Sequence, residues 1–409
     1  MTAVVWRKHI NRELLPVIFV YRGREGQRMT ILYSILHLLV DGLCAMAMFG
    51  RYIPRENGYF YILLYNFCAF ALQMPFGVML DAMNTKRDSG KHRKHDHAFM
   101  VAALGVLCAV VGAVTHPVVL GIGNALFHVG GGVGTIREDH AVNGRGTGLG
   151  IFVAPGALGL YLGTIIAAEN GAGEFGWNLW FAGTGLFILA LLMVGKLYLQ
   201  EHLPESETDK HFRRESACRE SDQLHSQPES TCGENSLLQD QSVKGAIILS
   251  LCCLLVVILR SYIGMAVGFP WKTGVLAGLL SVFAVVGGKM AGGFLAAWKG
   301  AFRMAVVSLM AAAFCYLFSS LMPMGLAALF LFNMTMPVTL YWMVCAFPQM
   351  PGSAFGFLTF ALFLGFLPGY FGMQLLWNGN VLGCAGSVLS LLLLAAGLGK
   401  GSRGEQLSD

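Results

Sequence analysis

Charge is what this sequence has least of: Asp, Glu, Lys and Arg make up 12% of its 409 residues, while 55% are hydrophobic. A soluble chain carries about twice that share of charge, so a water-facing globular domain is excluded and lipid is the solvent for most side chains. The formal charge of +5 is concentrated in a few polar stretches, which makes it a topology signal and gives no reason to expect nucleic acid as a partner. Metal and redox signatures are missing as well. Eight of the ten cysteines lie inside apolar runs, where a thiol behaves as a small hydrophobe, and Cys218 and Cys232 lie in a polar stretch. Without CxxC or Cys/His spacing, neither a disulfide framework nor a structural zinc site is indicated. His92, His95 and His97 sit in a basic connection and read as solvated charge rather than a metal cluster. No HExxH and no nucleophile with its base is present, which argues against a membrane enzyme.

What is present is a series of apolar runs of the length a spanning helix needs, roughly 20 residues. They cover Thr30 to Gly50, Tyr59 to Leu80, Ala98 to Val114, Pro117 to Ile136, Gly148 to Ala168 and Trp177 to Leu199. Six more follow at Gly245 to Val267, Gly274 to Ala297, Met304 to Leu321, Met324 to Phe347, Ser353 to Leu376 and Val381 to Leu398. Only Thr115, His116 and Pro117 part the third run from the fourth, and the proline predicts a tight turn. The first run lacks a signal-peptide cleavage site and reads as an anchor.

Orientation follows from Lys and Arg in the connections. With both ends on one side, that side holds 23 of them, against Arg51, Arg55 and Lys272 on the other, so both termini are expected in the cytoplasm of a multi-pass cell-membrane protein. Residues 1–29 form a leader in which Leu15 to Tyr21 reads either as a surface-lying amphipathic segment or as disorder. Residues 200–243 are rich in Ser, Glu, Asp and Gln with no apolar period, and read as a linker between a bundle at 30–199 and a second at 244–399, with a tail at 400–409.

The two bundles repeat each other. Spans five and eleven carry Pro155-Gly156-Ala157-Leu158-Gly159 and Pro368-Gly369-Tyr370-Phe371-Gly372, both P-G-x-x-G, which predicts matching hinge helices. At the ends of spans two and eight, Gly77-x-x-x-Asp81 matches Gly293-x-x-x-Ala297, without the acid in the second copy.

On these residues the chain resembles the major facilitator superfamily from residue 29 onward. The resemblance implies an all-α membrane protein with twelve transmembrane helices in two pseudo-symmetric six-helix bundles, and a secondary transporter as the function. Gly77-x-x-x-Asp81 with Lys86 and Arg87 is similar to the signature at the cytoplasmic end of the family's second helix, which implies a latch holding the outward-facing state. Ala82-Met83-Asn84 departs from that pattern, where a basic residue and a glycine are expected. Gly150 to Gly159 resembles the family's exporter motif, with Ala154 and Leu158 replacing two glycines. Gly123-Asn124-Ala125-Leu126-Phe127-His128 and Met350-Pro351-Gly352-Ser353-Ala354-Phe355-Gly356 resemble the fosmidomycin-resistance-type branch, whose fourth helix carries a Phe-His pair rather than the arginine of many drug antiporters, and Asn124 stands near the position of that arginine.

Ionisable groups inside the hydrocarbon cost several kcal/mol each unless they face a cavity or a partner. His37 and Asp41 are four apart on one face of span one, and Asp41 lies roughly 17 Å along its helix, near the middle of a core about 30 Å thick. His128 sits at similar depth in span four, and Arg260 is in span seven. The resemblance places spans one, four, seven and ten around one cavity, so Asp41, His37 and His128 are the candidates for proton coupling. Asn124, Arg260, Asn333 and Tyr341 are the candidates for contacting substrate. Burial disfavours the charged carboxylate and a nearby arginine favours it, so a change of access can load or release a proton. Each residue also has a structural reading: Asp41 with Arg260 as a buried pair, His37 as a positioner of Asp41, and His128 as a helix–helix hydrogen bond beside Gly130, Gly131 and Gly132. Lys289 in span eight reads as a group that snorkels to the surface.

The expectation is therefore proton-coupled export of a small organic or drug-like compound, with anionic character matched to Arg260. It needs no cofactor beyond the proton gradient and no partner beyond its small-molecule substrate and the bilayer, and acts as a monomer. Uptake by symport uses the same residues, and a non-transporting sensor on the same fold is a further alternative.

Overall fold

The computed structural model describes residues 28–85, 97–141, 144–169, 174–202, 234–373 and 378–401. Lys86, Arg87, His92, His95, the segment Leu15 to Tyr21 and most of the expected linker lie outside the described residues. Those described are helical or turn, with no strand among them. Ten helices are long and apolar enough to span a membrane, and two more complete a set of twelve among the described residues. In chain order they are α1 (Met29–Tyr52), α2 (Gly58–Asn84), α3 (His97–Val114), α4 (Pro117–His140), α5 (Thr147–Glu169) and α6 (Glu174–His202). The second six are α7 (Glu234–Ala266), α8 (Gly274–Lys299), α9 (Ala301–Leu317), α10 (Met322–Ala346), α11 (Pro351–Tyr370) and α12 (Gly379–Leu398). The face from which α1 enters is called the near face.

Several boundaries moved for local reasons. Helix α7 begins at Glu234, so the last part of the expected linker is helical. Helix α11 ends at Tyr370 rather than running to Leu376, because Gly372 takes φ +69° and Met373 N–H donates back to Pro368 C=O at 2.8 Å. This is the closure by a left-handed glycine that ends many helices, so Gly372 terminates α11 instead of bending it. Thr115 and His116 form the expected tight turn before Pro117.

Packing groups the helices. In the first half α1 lies against α4, α5 and α6, and α3 against α4; in the second, α7 lies against α10, α11 and α12, and α8 against α10. The groups meet along two seams, α2 with α11 and α5 with α8. Both seams are glycine contacts at the near face: a Cβ on Gly77 would strike the Gly352 carbonyl, and one on Gly293 would sit 2.9 Å from the Gly146 carbonyl oxygen. Gly77 and Gly293 are the matched positions of the sequence repeat, and they perform matched close crossings.

Among the described residues α5, α10 and α2 are interrupted beside the cavity, and α1 ends in a widened turn over Met48–Tyr52. Helix α5 breaks at Ala154, before Pro155, which has no N–H to offer the carbonyl of Ile151. Helix α10 breaks at Met334, and α2 has a widened turn over Phe67–Ala71. Broken helices in lipid are tolerated where freed backbone groups face protein or a cavity, and all three breaks border the same space.

Candidate functional site

The space between the halves is a cavity of about 510 Å³, bordered on the first-half side by His37, Asp41 and His128 and on the second-half side by Arg260, Lys289 and Asn333. The remainder of the wall is largely aromatic and aliphatic. A pocket of this size and lining holds a small organic molecule and orients it with few polar groups.

On the first-half wall, one helical turn brings His37 Nε2 to 3.2 Å from Asp41 Oδ2. Across the α1–α4 contact, His128 Nε2 lies 2.8 Å from His37 Nε2 and 3.7 Å from Asp41 Oδ1. Asn124, one turn before His128, donates from Nδ2 to Asp41 Oδ1 at 3.0 Å. The cluster fits against α5 only because residue 156 is glycine: a Cβ there would collide with both His37 Nε2 and Asp41 Oδ2.

Each histidine is anchored through its other nitrogen. His37 Nδ1 lies 2.7 Å from the carbonyl oxygen of Phe152, and His128 Nδ1 lies 2.9 Å from that of Asn124. The helix break at Ala154 thus supplies two consecutive carbonyls to two different walls: Phe152 C=O meets His37, and Val153 C=O accepts from Lys289 Nζ at 3.2 Å. Helix C-terminal carbonyls carry partial negative charge and favour cations.

The second-half wall is the counterpart in charge. Arg260 is buried and its Nη1 has no hydrogen-bond partner, and no acid of the second half stands beside it or Lys289 among the described residues. An unpaired buried guanidinium is costly unless a ligand satisfies it.

The sequence-derived candidates divide accordingly. Asp41, His37, His128, Arg260 and Asn333 border one cavity, as the arrangement of spans implied. The buried pair of Asp41 with Arg260 does not occur; Asp41 is engaged by His37, His128 and Asn124. Asn124 stands behind Asp41 rather than at the cavity wall, and Tyr341 packs against Gly146 at the near face, outside the cavity. Lys289 does not snorkel; it reaches the cavity and the Val153 carbonyl. Gly156 and Gly159 press against α1 at the break in α5, whereas Pro368 and Gly369 lie at the far end of α11, so the two P-G-x-x-G stretches sit at different depths.

At the near face, Asp81 reaches across the α2–α11 seam and accepts from Gly352 N–H at 2.9 Å, Ser353 N–H at 2.7 Å and Ser353 Oγ–H at 2.7 Å. It caps the N-terminus of a helix in the other half, a charge-assisted arrangement. Two further acids cap helices of their own half: Glu138 accepts from Thr30, and Asp139 from Gly146 N–H and Gly148 N–H. At the opposite face Tyr59 and Tyr370 stack at 4.3 Å and each donates its hydroxyl to the other's carbonyl, closing the same seam from its other end. Sequence reasoning did not find this pair, because exposed tyrosines 311 apart carry no signal of proximity.

Fold and cavity define a membrane-embedded secondary transporter. Residues 58–370 match the Major Facilitator Superfamily, and the chain belongs to that family. It is a multi-pass integral membrane protein and a transporter rather than an enzyme. No curated protein matches it. Among solved structures, the human organic anion transporter MFSD10 (TETRAN) is similar at 15% identity and TM-score 0.56, over 91% of this chain and 99% of that one. FucP in the outward conformation is similar at 12% identity and TM-score 0.54, over 93% of this chain and 98% of that one. These likenesses establish the fold.

Proposed function

We propose that this chain couples proton movement to the transport of small organic anions. One observation carries the reading: a titratable cluster of His37, Asp41 and His128 faces two cations, Arg260 and Lys289, across a single cavity. With Asp41 ionised and both histidines neutral, the cluster is negative and opposes an anion entering beside Arg260. One added proton cancels that charge, so proton and anion favour each other's binding. Mutual stabilisation of oppositely charged ligands is the thermodynamics of cotransport.

A second reading, export by exchange, is favoured by the likeness of Gly150 to Gly159 to the family's exporter motif. It requires proton and anion to exclude each other. In either case the chain acts as a monomer in the cell membrane with its near face in the cytoplasm, where its Lys and Arg are concentrated, and is powered by the proton gradient alone.

The experiment is a binding panel on purified protein, comparing aromatic carboxylates with their neutral amides by thermal shift at two pH values. Carboxylates alone should stabilise the protein, more strongly at the lower pH, and Arg260→Gln should remove the effect. Stabilisation by the amides instead, or stronger carboxylate stabilisation at the higher pH, removes the cotransport reading.

A further inference from the structure

We propose that the coupled proton is held between His37 Nε2 and His128 Nε2, as one hydrogen shared by two imidazoles, while Asp41 remains ionised beside them. This rests on reading the cavity as proton-coupled, and it assigns the carrier to the histidine pair rather than to the carboxylate.

The argument begins at the far side of each ring. A backbone carbonyl oxygen is an acceptor only, so the nitrogen facing it must carry hydrogen. His37 Nδ1 faces the Phe152 carbonyl and His128 Nδ1 faces the Asn124 carbonyl, so both rings carry their hydrogen on Nδ1. A neutral imidazole has one N–H. Both Nε2 atoms are then bare, and their lone pairs point at each other across 2.8 Å with the Asp41 carboxylate 3.2 and 3.7 Å away. Two lone pairs and a carboxylate converging in a buried site repel one another. A single proton between the nitrogens turns the closest of these contacts into a charge-assisted hydrogen bond and gives the cluster one positive charge against Asp41.

The surrounding groups fit this assignment. On α1 the cluster includes Asp41 and Cys44, whose Sγ lies 3.6 Å from Asn124 Nδ2, and Tyr65 on α2 interacts electrostatically with both Asp41 and Cys44. Asn124 on α4 donates to Asp41, as a donor does to an ionised carboxylate. Lys289 on α8 and Arg260 on α7 are the cations that border the same cavity. Asp41 is thus held by the Asn124 donor with two cations bordering the same cavity, and among the described residues no second acid borders that cavity to take the proton from the imidazoles. Release has a structural route: His37 is held by the Phe152 carbonyl at the break in α5, so movement of that helix separates the nitrogens and leaves the proton on one ring, open to water.

The test uses the full-length protein in lipid vesicles, with histidine labelled by nitrogen-15, in solid-state magnetic resonance at acidic and neutral pH. The expected result is protonated Nδ1 on both rings and a through-hydrogen-bond coupling between the two Nε2 nuclei, present in the wild type and lost in His128→Gln. Infrared difference spectra of the wild type between the same pH values should show histidine bands without a protonated-carboxyl band. A protonated-carboxyl band that disappears in Asp41→Asn overturns the proposal. So does a bare Nδ1 on either ring, or a stoichiometric divalent metal in place of the proton. A gradient-driven flux assay on the same vesicles separates the two levels: a shared proton without coupled flux sinks the transport reading, and coupled flux with a protonated Asp41 sinks the histidine assignment.

Discussion

Replacing Asp81 by Asn tests how the near face is kept shut. The carboxylate accepts three hydrogen bonds from the first turn of α11, two from backbone and one from Ser353 Oγ. Asn keeps the shape but supplies one acceptor and turns an N–H donor towards the remaining donors. Loss of one charge-assisted bond and of the carboxylate's attraction to the helix terminus costs about 2 kcal/mol. Because the bond spans the two halves, that cost falls on the near-face-closed state alone and shifts the closed-to-open ratio about thirtyfold. The assay is hydrogen exchange on the segment opening α11, in nanodiscs, where the Gly352 and Ser353 amides are protected by Asp81. Exchange there should accelerate by about the same factor, with α3 and α12 unchanged. Unchanged exchange at Gly352 and Ser353 would refute the idea that Asp81 holds the halves together.

Lys289→Gln removes one of two cations from the cavity; it should weaken carboxylate binding about tenfold, read by calorimetry, whereas Lys289→Arg should restore most of it. Gly156→Ala drives a methyl into His37 and Asp41; proton-driven flux should vanish while Gly183→Ala, with nothing within 4 Å of its added Cβ, leaves flux intact. Tyr59→Phe removes one of the two reciprocal hydroxyl bonds to α11, and should raise cysteine-reagent access to the cavity from the far face by a few-fold.

Much of the fold was legible because lipid imposes a simple code. Helices in hydrocarbon must be long and apolar, and proline at 117 and charge clusters punctuate them. The Gly77 and Gly293 repeat was also readable, since close helix crossings demand small residues at fixed places. The site was half legible. Asp41, His37, His128 and Arg260 stood out as charges in an apolar setting, which is costly without purpose. What the sequence could not carry was direction. Whether Lys289 points to a surface or a cavity depends on the rotation of α8 against α5, and Tyr341 faces Gly146 for the same reason. Pro155 and Pro368 share a local pattern but lie at different distances from the starts of their helices, and a repeat motif carries no depth; Ser353 as the partner of Asp81 requires knowing which seam α11 lines.

The most direct test of the central claim is gradient-driven transport in proteoliposomes loaded with a pH-reporting dye and challenged with aromatic carboxylates. Wild-type protein should move protons in step with the anion, and His128→Gln, still folded by circular dichroism, should not. Proton-coupled flux of equal size in His128→Gln, or anion flux through the wild type with no proton movement, would contradict the account.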